Sequence, residues 1–154
     1  MINWINQRFG INLQENDLES IKEFSLVWNI FERFVCNNNF SISRAELAIT
    51  NKNLDIAHFQ NQANYFRNRY VTNGVTNVRF DNLHLRANDR EAFVRRTLLD
   101  QTSTNHEIVL ALIIIVYRFR NNLFHGIKDI TVIDQQKENF DNANTFLKSL
   151  LGYF

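Results

Sequence analysis

Along most of this chain apolar side chains recur at spacings of three and four, the period of helix rather than strand. Leu18, Ile21, Phe24, Trp28, Phe31 and Val35 keep that period behind Asn16 and Glu19, a capping-box pair, and predict a helix over about 17–36. The cluster Asn37-Asn38-Asn39 ends it, and Ser43 with Glu46 predicts a short helix through Ile49. Phe59, Ala63, Phe66 and Tyr70 make one stripe beside the polar His58, Asn61, Asn64, Arg67 and Asn68, so a second long helix is expected over 54–70. Asn73-Gly74 reads as a turn, and 75–86 alternates too loosely to decide between strand and loop.

Asn88 with Glu91 opens a further helix to about Leu99, whose polar side carries Arg90, Arg95 and Arg96. Thr104 with Glu107 caps the most apolar segment, Ile108 through Val116. Its apolar residues cover the whole circumference, which predicts a central, buried helix over 105–125 with Gly126 as its C-terminal stop. A last helix from about Asp134 to Leu151 carries Phe140, Ala143, Leu147, Leu150 and Phe154 on one side. With no repeat and no Gly- or Ser-rich linker, the expectation is one all-α domain over 1–154, a bundle of about five to six helices.

Composition narrows what such a bundle can do. At 154 residues there is room for one core, and 45% hydrophobic residues are enough to fill it. Seventeen Lys and Arg against 16 Asp and Glu leave a formal charge of +1, so binding nucleic acid by bulk charge is excluded and any anion must be met locally. Cys36 is the only cysteine, which excludes an internal disulfide or a thiolate cluster and fits a reducing compartment, the cytoplasm by default. The apolar run ending at Val116 is far shorter than the roughly 20 residues that cross a bilayer, and the N-terminal residues lack the pattern of a signal peptide, so no membrane is expected. Proline is absent, which removes the commonest helix breaker.

Familiar cofactor chemistry finds no footing. The glycines at 10, 74, 126 and 152 form no phosphate loop, and the histidines at 58, 84, 106 and 125 have no metal-ligand spacing, so neither cofactor nor metal is expected. Ser41, Ser43 and Ser103 sit in no nucleophile elbow. What remains is the end of the buried helix, where Arg118, Arg120, Asn121, Asn122 and His125 reach the rim of the bundle. By local pattern alone, these cations complement the negative end of the helix dipole.

The segment Arg120-Asn121-Asn122-Leu123-Phe124-His125 resembles the R-N-x-x-x-H motif of the HEPN superfamily, and Gly126 after it is common there too. The resemblance implies a HEPN-like helical bundle with the motif at the C-terminal end of a late hydrophobic helix, and it spans essentially the whole chain. It further implies metal-independent RNA cleavage by 2′-hydroxyl attack, leaving 2′,3′-cyclic phosphate and 5′-hydroxyl ends and sparing DNA. An imidazole, which titrates near neutrality, makes His125 the general acid or base. A planar guanidinium suits Arg120 to the doubly charged five-coordinate phosphorus, and the Asn121 amide can orient phosphate or imidazole. Arg118, Asn122 and Lys128 are further candidate RNA contacts, and Asn29 and Glu32 are candidate supporting residues from the first long helix.

Family members commonly pair two copies so that two motifs build one RNA cleft, which implies a homodimer and a basic groove formed by Arg118, Arg120 and Lys128 of both copies. Small proteins of this kind act in toxin–antitoxin or antiphage systems, often under an antitoxin or other regulatory partner. On a regular helix Arg120 and His125 are separated by about 140°, so the last turn must bend or unwind for them to share a face. Arg118 is nearly in line with His125 and satisfies the longer-spaced form of the motif. Two other readings stay open: a catalytically inactive HEPN module for RNA or nucleotide binding or for dimerisation, and an unrelated bundle in which the segment is only a helix end.

Overall fold

The computed structural model describes residues 1–125 and 129–154. Gly10, in the left-handed conformation at φ 66°, closes a first helix, α1 (Ile2–Phe9), which the apolar spacing does not announce because only Ile5 of it is buried. The Asn6 amide then exchanges two hydrogen bonds of 2.8 Å with the backbone of Leu13, folding α1 back onto the chain. α2 (Glu15–Cys36) begins two residues before its predicted start: the Asp17 carboxylate accepts from the Gln14 N–H at 2.7 Å, so the cap lies at Gln14 rather than Asn16. It ends at Asn37 and Asn38, both with positive φ. α3 (Ile42–Thr50) is capped by Ser41, whose Oγ accepts from the Arg44 N–H at 3.1 Å, not by Ser43.

The expected helix over 54–70 is broken. Asp55 caps a 3-10 turn at Ile56–His58, Phe59 departs from helical geometry at φ −122°, and the regular helix α4 is confined to Gln60–Tyr70. Two two-residue strands, β1 (Val71–Thr72) and β2 (Val75–Thr76), pair antiparallel about Asn73-Gly74. Both turn residues have positive φ, the twist that a two-residue hairpin needs. α5 (Val78–Asp81) follows under an Asn77 cap. α6 (Glu91–Leu99) starts after Arg90 with no side-chain cap, so the cap expected at Asn88 is not formed; the Asp89 carboxylate instead accepts from the Arg86 N–H at 2.7 Å and caps the 3-10 turn Ala87–Asp89.

α7 (Asn105–Phe124) has its capping box where the sequence places it: Thr104 Oγ1 accepts from the Glu107 N–H at 3.2 Å and Glu107 accepts from the Thr104 N–H at 2.8 Å. Every residue from Ile108 to Val116 is buried, so the helix runs through the core. α8 (Lys137–Leu151) follows a 3-10 stretch, Ile130–Gln136, and lies along α2. The Phe140 ring meets those of Phe24 and Phe119 at tilts of 57° and 59° where α2, α7 and α8 converge. Eight α-helices and one minimal hairpin among the described residues make a predominantly helical bundle, with more elements than the five or six expected. No described helix is long and apolar enough to cross a membrane.

Candidate functional site

The last two turns of α7 sort the motif residues by depth. Arg118 is buried, with 1% of its side chain exposed, and all three guanidinium nitrogens are engaged. Its Nε donates to the Leu83 carbonyl at 3.2 Å, Nη1 to the Asp89 carboxylate at 3.1 Å and Nη2 to Asn122 Oδ1 at 3.2 Å. Asn122, also buried, donates its amide to the same Leu83 carbonyl at 3.2 Å. Of the expected RNA contacts, Arg118 and Asn122 are therefore both buried here, their polar groups tying the 83–89 segment to α7. A buried guanidinium requires this full set of partners, because a charge without them is strongly disfavoured.

Arg120 and His125 reach the surface. Arg120 is half-buried; its Nη1 donates to Asn121 Oδ1 at 3.1 Å, and its guanidinium carbon lies 5.3 Å from the centre of the Phe124 ring. Asn121 is buried, so among the described contacts its amide oxygen serves Arg120. His125 is exposed and caps α7, its N–H donating to the Asn121 carbonyl at 2.9 Å. Its imidazole has no hydrogen bond among the described residues. The helix stays regular through Phe124, and His125, at φ −96° and ψ 13°, leaves helical geometry; on an ideal helical wheel the positions of Arg120 and His125 stand about 140° apart. On the same helical wheel His125 falls within about 20° of Arg118 and 60° of Asn122.

Asn29 and Glu32 make local hydrogen bonds, and neither bonds to the motif among the described residues. Asn29 donates to the Ser25 carbonyl one turn back at 2.8 Å, and Glu32 accepts from the Phe40 N–H at 3.1 Å, closing the turn after α2. Gly126 and Lys128 lie outside the described residues, and so do the C-terminal stop and the RNA contact expected of them. Among the described residues there is no group of histidine, cysteine or carboxylate side chains arranged to hold a metal.

Beside Asn122 the surface opens into a recess of about 230 Å³ between the end of α4, α5, α7 and the start of α8. Arg69, Arg79 and His84 line it, with Asn82, Asn122 and Asn139, and no carboxylate lines it among the described residues. Asn77 holds two of these walls together, donating to the Arg69 carbonyl at 3.0 Å and accepting from the Arg79 N–H at 3.0 Å. Its floor is braced: Tyr65 donates to Asn139 Oδ1 and Asn139 donates to Gln136 Oε1, both at 2.8 Å. Sequence reasoning misses Arg69, Arg79 and His84. The signal was the Asn73-Gly74 turn, because a hairpin there folds the residue before β1 back toward the residue after β2.

Of the comparisons with known proteins, none finds a relative: no family model, no curated protein and no solved structure matches the chain.

Proposed function

We propose that this protein is a HEPN-type endoribonuclease that works as a two-fold pair, with His125 as its proton-transfer group. The observation that carries the reading is the exposed imidazole of His125, free of hydrogen bonds among the described residues and held at the end of a helix whose preceding turn is locked by Arg118, Asp89 and Asn122. A group that must both take and give protons is best left unengaged but rigidly mounted. The proposed pair is one in which Arg120 of one copy stands beside His125 of the other, which answers the separation of about 140° between the two positions within a chain.

In such a cleft the ribose 2′-oxygen attacks phosphorus as one imidazole takes its proton. The bond from phosphorus to the 5′-oxygen breaks as the second imidazole supplies a proton to that oxygen. Arg120 balances the extra negative charge on the five-coordinate phosphorus. The products are a 2′,3′-cyclic phosphate and a 5′-hydroxyl, and DNA lacks the attacking group. A role in a toxin–antitoxin or antiphage system, with a regulatory protein partner, fits a small ribonuclease of this kind.

A second reading, a catalytically inactive HEPN module that binds RNA or nucleotide or serves dimerisation, is favoured by one observation: Arg120 is occupied by Asn121 and Phe124. Incubating the protein with mixed-sequence RNA in EDTA, beside matched DNA and the His125→Ala and Arg120→Ala variants, separates the two. The nuclease reading expects cleavage of RNA alone, with cyclic phosphate ends, lowered by about 100-fold or more in each variant. RNA binding without cleavage by the folded protein supports the second.

A further inference from the structure

Two depressions formed by the described residues each carry a pair of arginines, and they differ in how those arginines are partnered. Along α6, Arg95 and Arg96 line a wide opening of about 640 Å³, but Arg95 is paired with Glu91 at 2.6 Å and Arg96 with Glu107 at 3.0 Å. In the recess beside Asn122, neither Arg69 nor Arg79 belongs to any ion pair among the described residues. Arg69 Nε is buried with no hydrogen-bond partner among the described residues, while the rest of the guanidinium is engaged by the phenols of Tyr65 and Tyr70. The neighbouring phenols do not supply the missing charge. Burial keeps Tyr65 and Tyr70 protonated beyond the ordinary phenol range, outweighing the pull of Arg69 toward the phenolate.

His84 adds a third nitrogen-bearing side chain to the same wall, from a backbone with φ 52°. A non-glycine residue in that region carries strain, and such strain is concentrated at binding sites. The wall is also rigid: the Leu83 carbonyl, one residue before, receives both Arg118 Nε and Asn122 Nδ2. At about 230 Å³ the recess is smaller than the roughly 300–1,000 Å³ of sites for drug-sized ligands, which suits one tetrahedral anion and the atoms attached to it.

We infer that this recess is a phosphate-binding site in which Arg69, Arg79 and His84 hold one phosphoryl group. The group is either a phosphodiester of an RNA strand or the phosphate of a small molecule such as a mononucleotide. Guanidinium groups bind phosphate oxygens by charge-assisted, paired hydrogen bonds, and no carboxylate among the described residues lines the recess to compete for Arg69 or Arg79. The site stands on its own observations and does not require that His125 cleave RNA.

The test uses the whole chain, labelled with nitrogen-15, titrated separately with inorganic phosphate, a nucleoside 5′-monophosphate and a short non-cleavable 2′-O-methyl RNA. Amide shifts clustered at 82–84, 69 and 79, with affinity falling about tenfold or more in Arg69→Gln/Arg79→Gln, are expected. Saturation by phosphate or the mononucleotide identifies a small-molecule site; saturation by the oligonucleotide alone identifies an RNA backbone contact. An Arg8→Gln/Arg33→Gln protein, which loses the same charge elsewhere, should bind as the parent does. The inference is overturned if none of the three ligands shifts these amides at millimolar concentration, or if the two double variants weaken binding equally. His125→Ala should leave recess binding unchanged, so loss of cleavage there and loss of binding here are separate failures.

Discussion

Asp89 and Arg118 form an ion pair at 3.1 Å with almost no solvent access, 6% and 1% of their side chains being exposed. The pair joins the 3-10 turn Ala87–Asp89 to the last turns of α7, and through the Leu83 carbonyl it fixes the wall of the basic recess as well. Removing one member leaves the other charged and buried. Asp89→Ala should therefore destabilise the fold by about 3–5 kcal/mol in denaturant unfolding, whereas Arg118→Met combined with Asp89→Leu should cost less than Asp89→Ala alone. A loss under 1 kcal/mol for Asp89→Ala, within the range of ordinary surface changes, would contradict the burial of the pair.

His125 takes the opposite part. It is exposed and makes no side-chain hydrogen bond among the described residues, so His125→Ala should change unfolding free energy by no more than about 0.5 kcal/mol. Thermal unfolding of the variant beside its RNA cleavage checks both points together: activity should fall while the transition stays in place. A large drop in stability would assign the imidazole a structural contact.

The capping box of α7 gives a third expectation. Thr104→Ala removes the acceptor for the Glu107 N–H and should lower stability by about 1 kcal/mol, while Thr104→Ser should retain most of it. Equilibrium denaturation of the pair of variants decides, and equal stability of Thr104→Ala and the parent would show that tertiary packing alone holds the start of the helix.

Stability should fall on both sides of neutrality, for different groups. Glu46 is held below its ordinary value of 4.5 by the Arg90 guanidinium, and Glu107 by the Thr104 N–H and then Arg96; Asp100 is held below 3.8 by the Thr102 hydroxyl and N–H. A depressed folded value means that this contribution is complete above about pH 4.5 and is lost as pH falls through the lower folded values. Burial acts with the other sign on Cys36, whose thiol is pushed from 9.0 up to about 11, so its contribution is present below pH 9.0 and lost as pH rises to about 11. Unfolding midpoints measured across pH should trace this plateau. At neutral pH a thiol reagent should label Cys36 only after denaturation, and rapid labelling of the native protein would refute its burial.

What could be read from the sequence is what local interactions decide. The Thr104 cap, the buried circumference of Ile108–Val116 and the Asn73-Gly74 turn each depend on neighbours within a few residues, and each is found where it was expected. The break at Phe59 was hidden, because its ring is fully buried and keeps the apolar stripe in phase while Asp55 stabilises a separate 3-10 turn. The ion pair of Arg118 is hidden for the same reason in reverse: a helix pattern shows a cation near a C-terminus but not the carboxylate brought to it from 29 residues away. The recess depends on four elements meeting, so no single stretch of sequence displays it.

The burial of α7 also sets where the protein can breathe. From Ile108 to Val116 no side chain is more than 8% exposed, so these amides should exchange hydrogen with solvent only when the whole domain opens. His125 then stands beyond this slowly exchanging segment, at the exposed end of the same helix. A substitution inside that segment, chemically remote from the motif, would be felt at the end of α7 as a displaced imidazole with every motif residue intact.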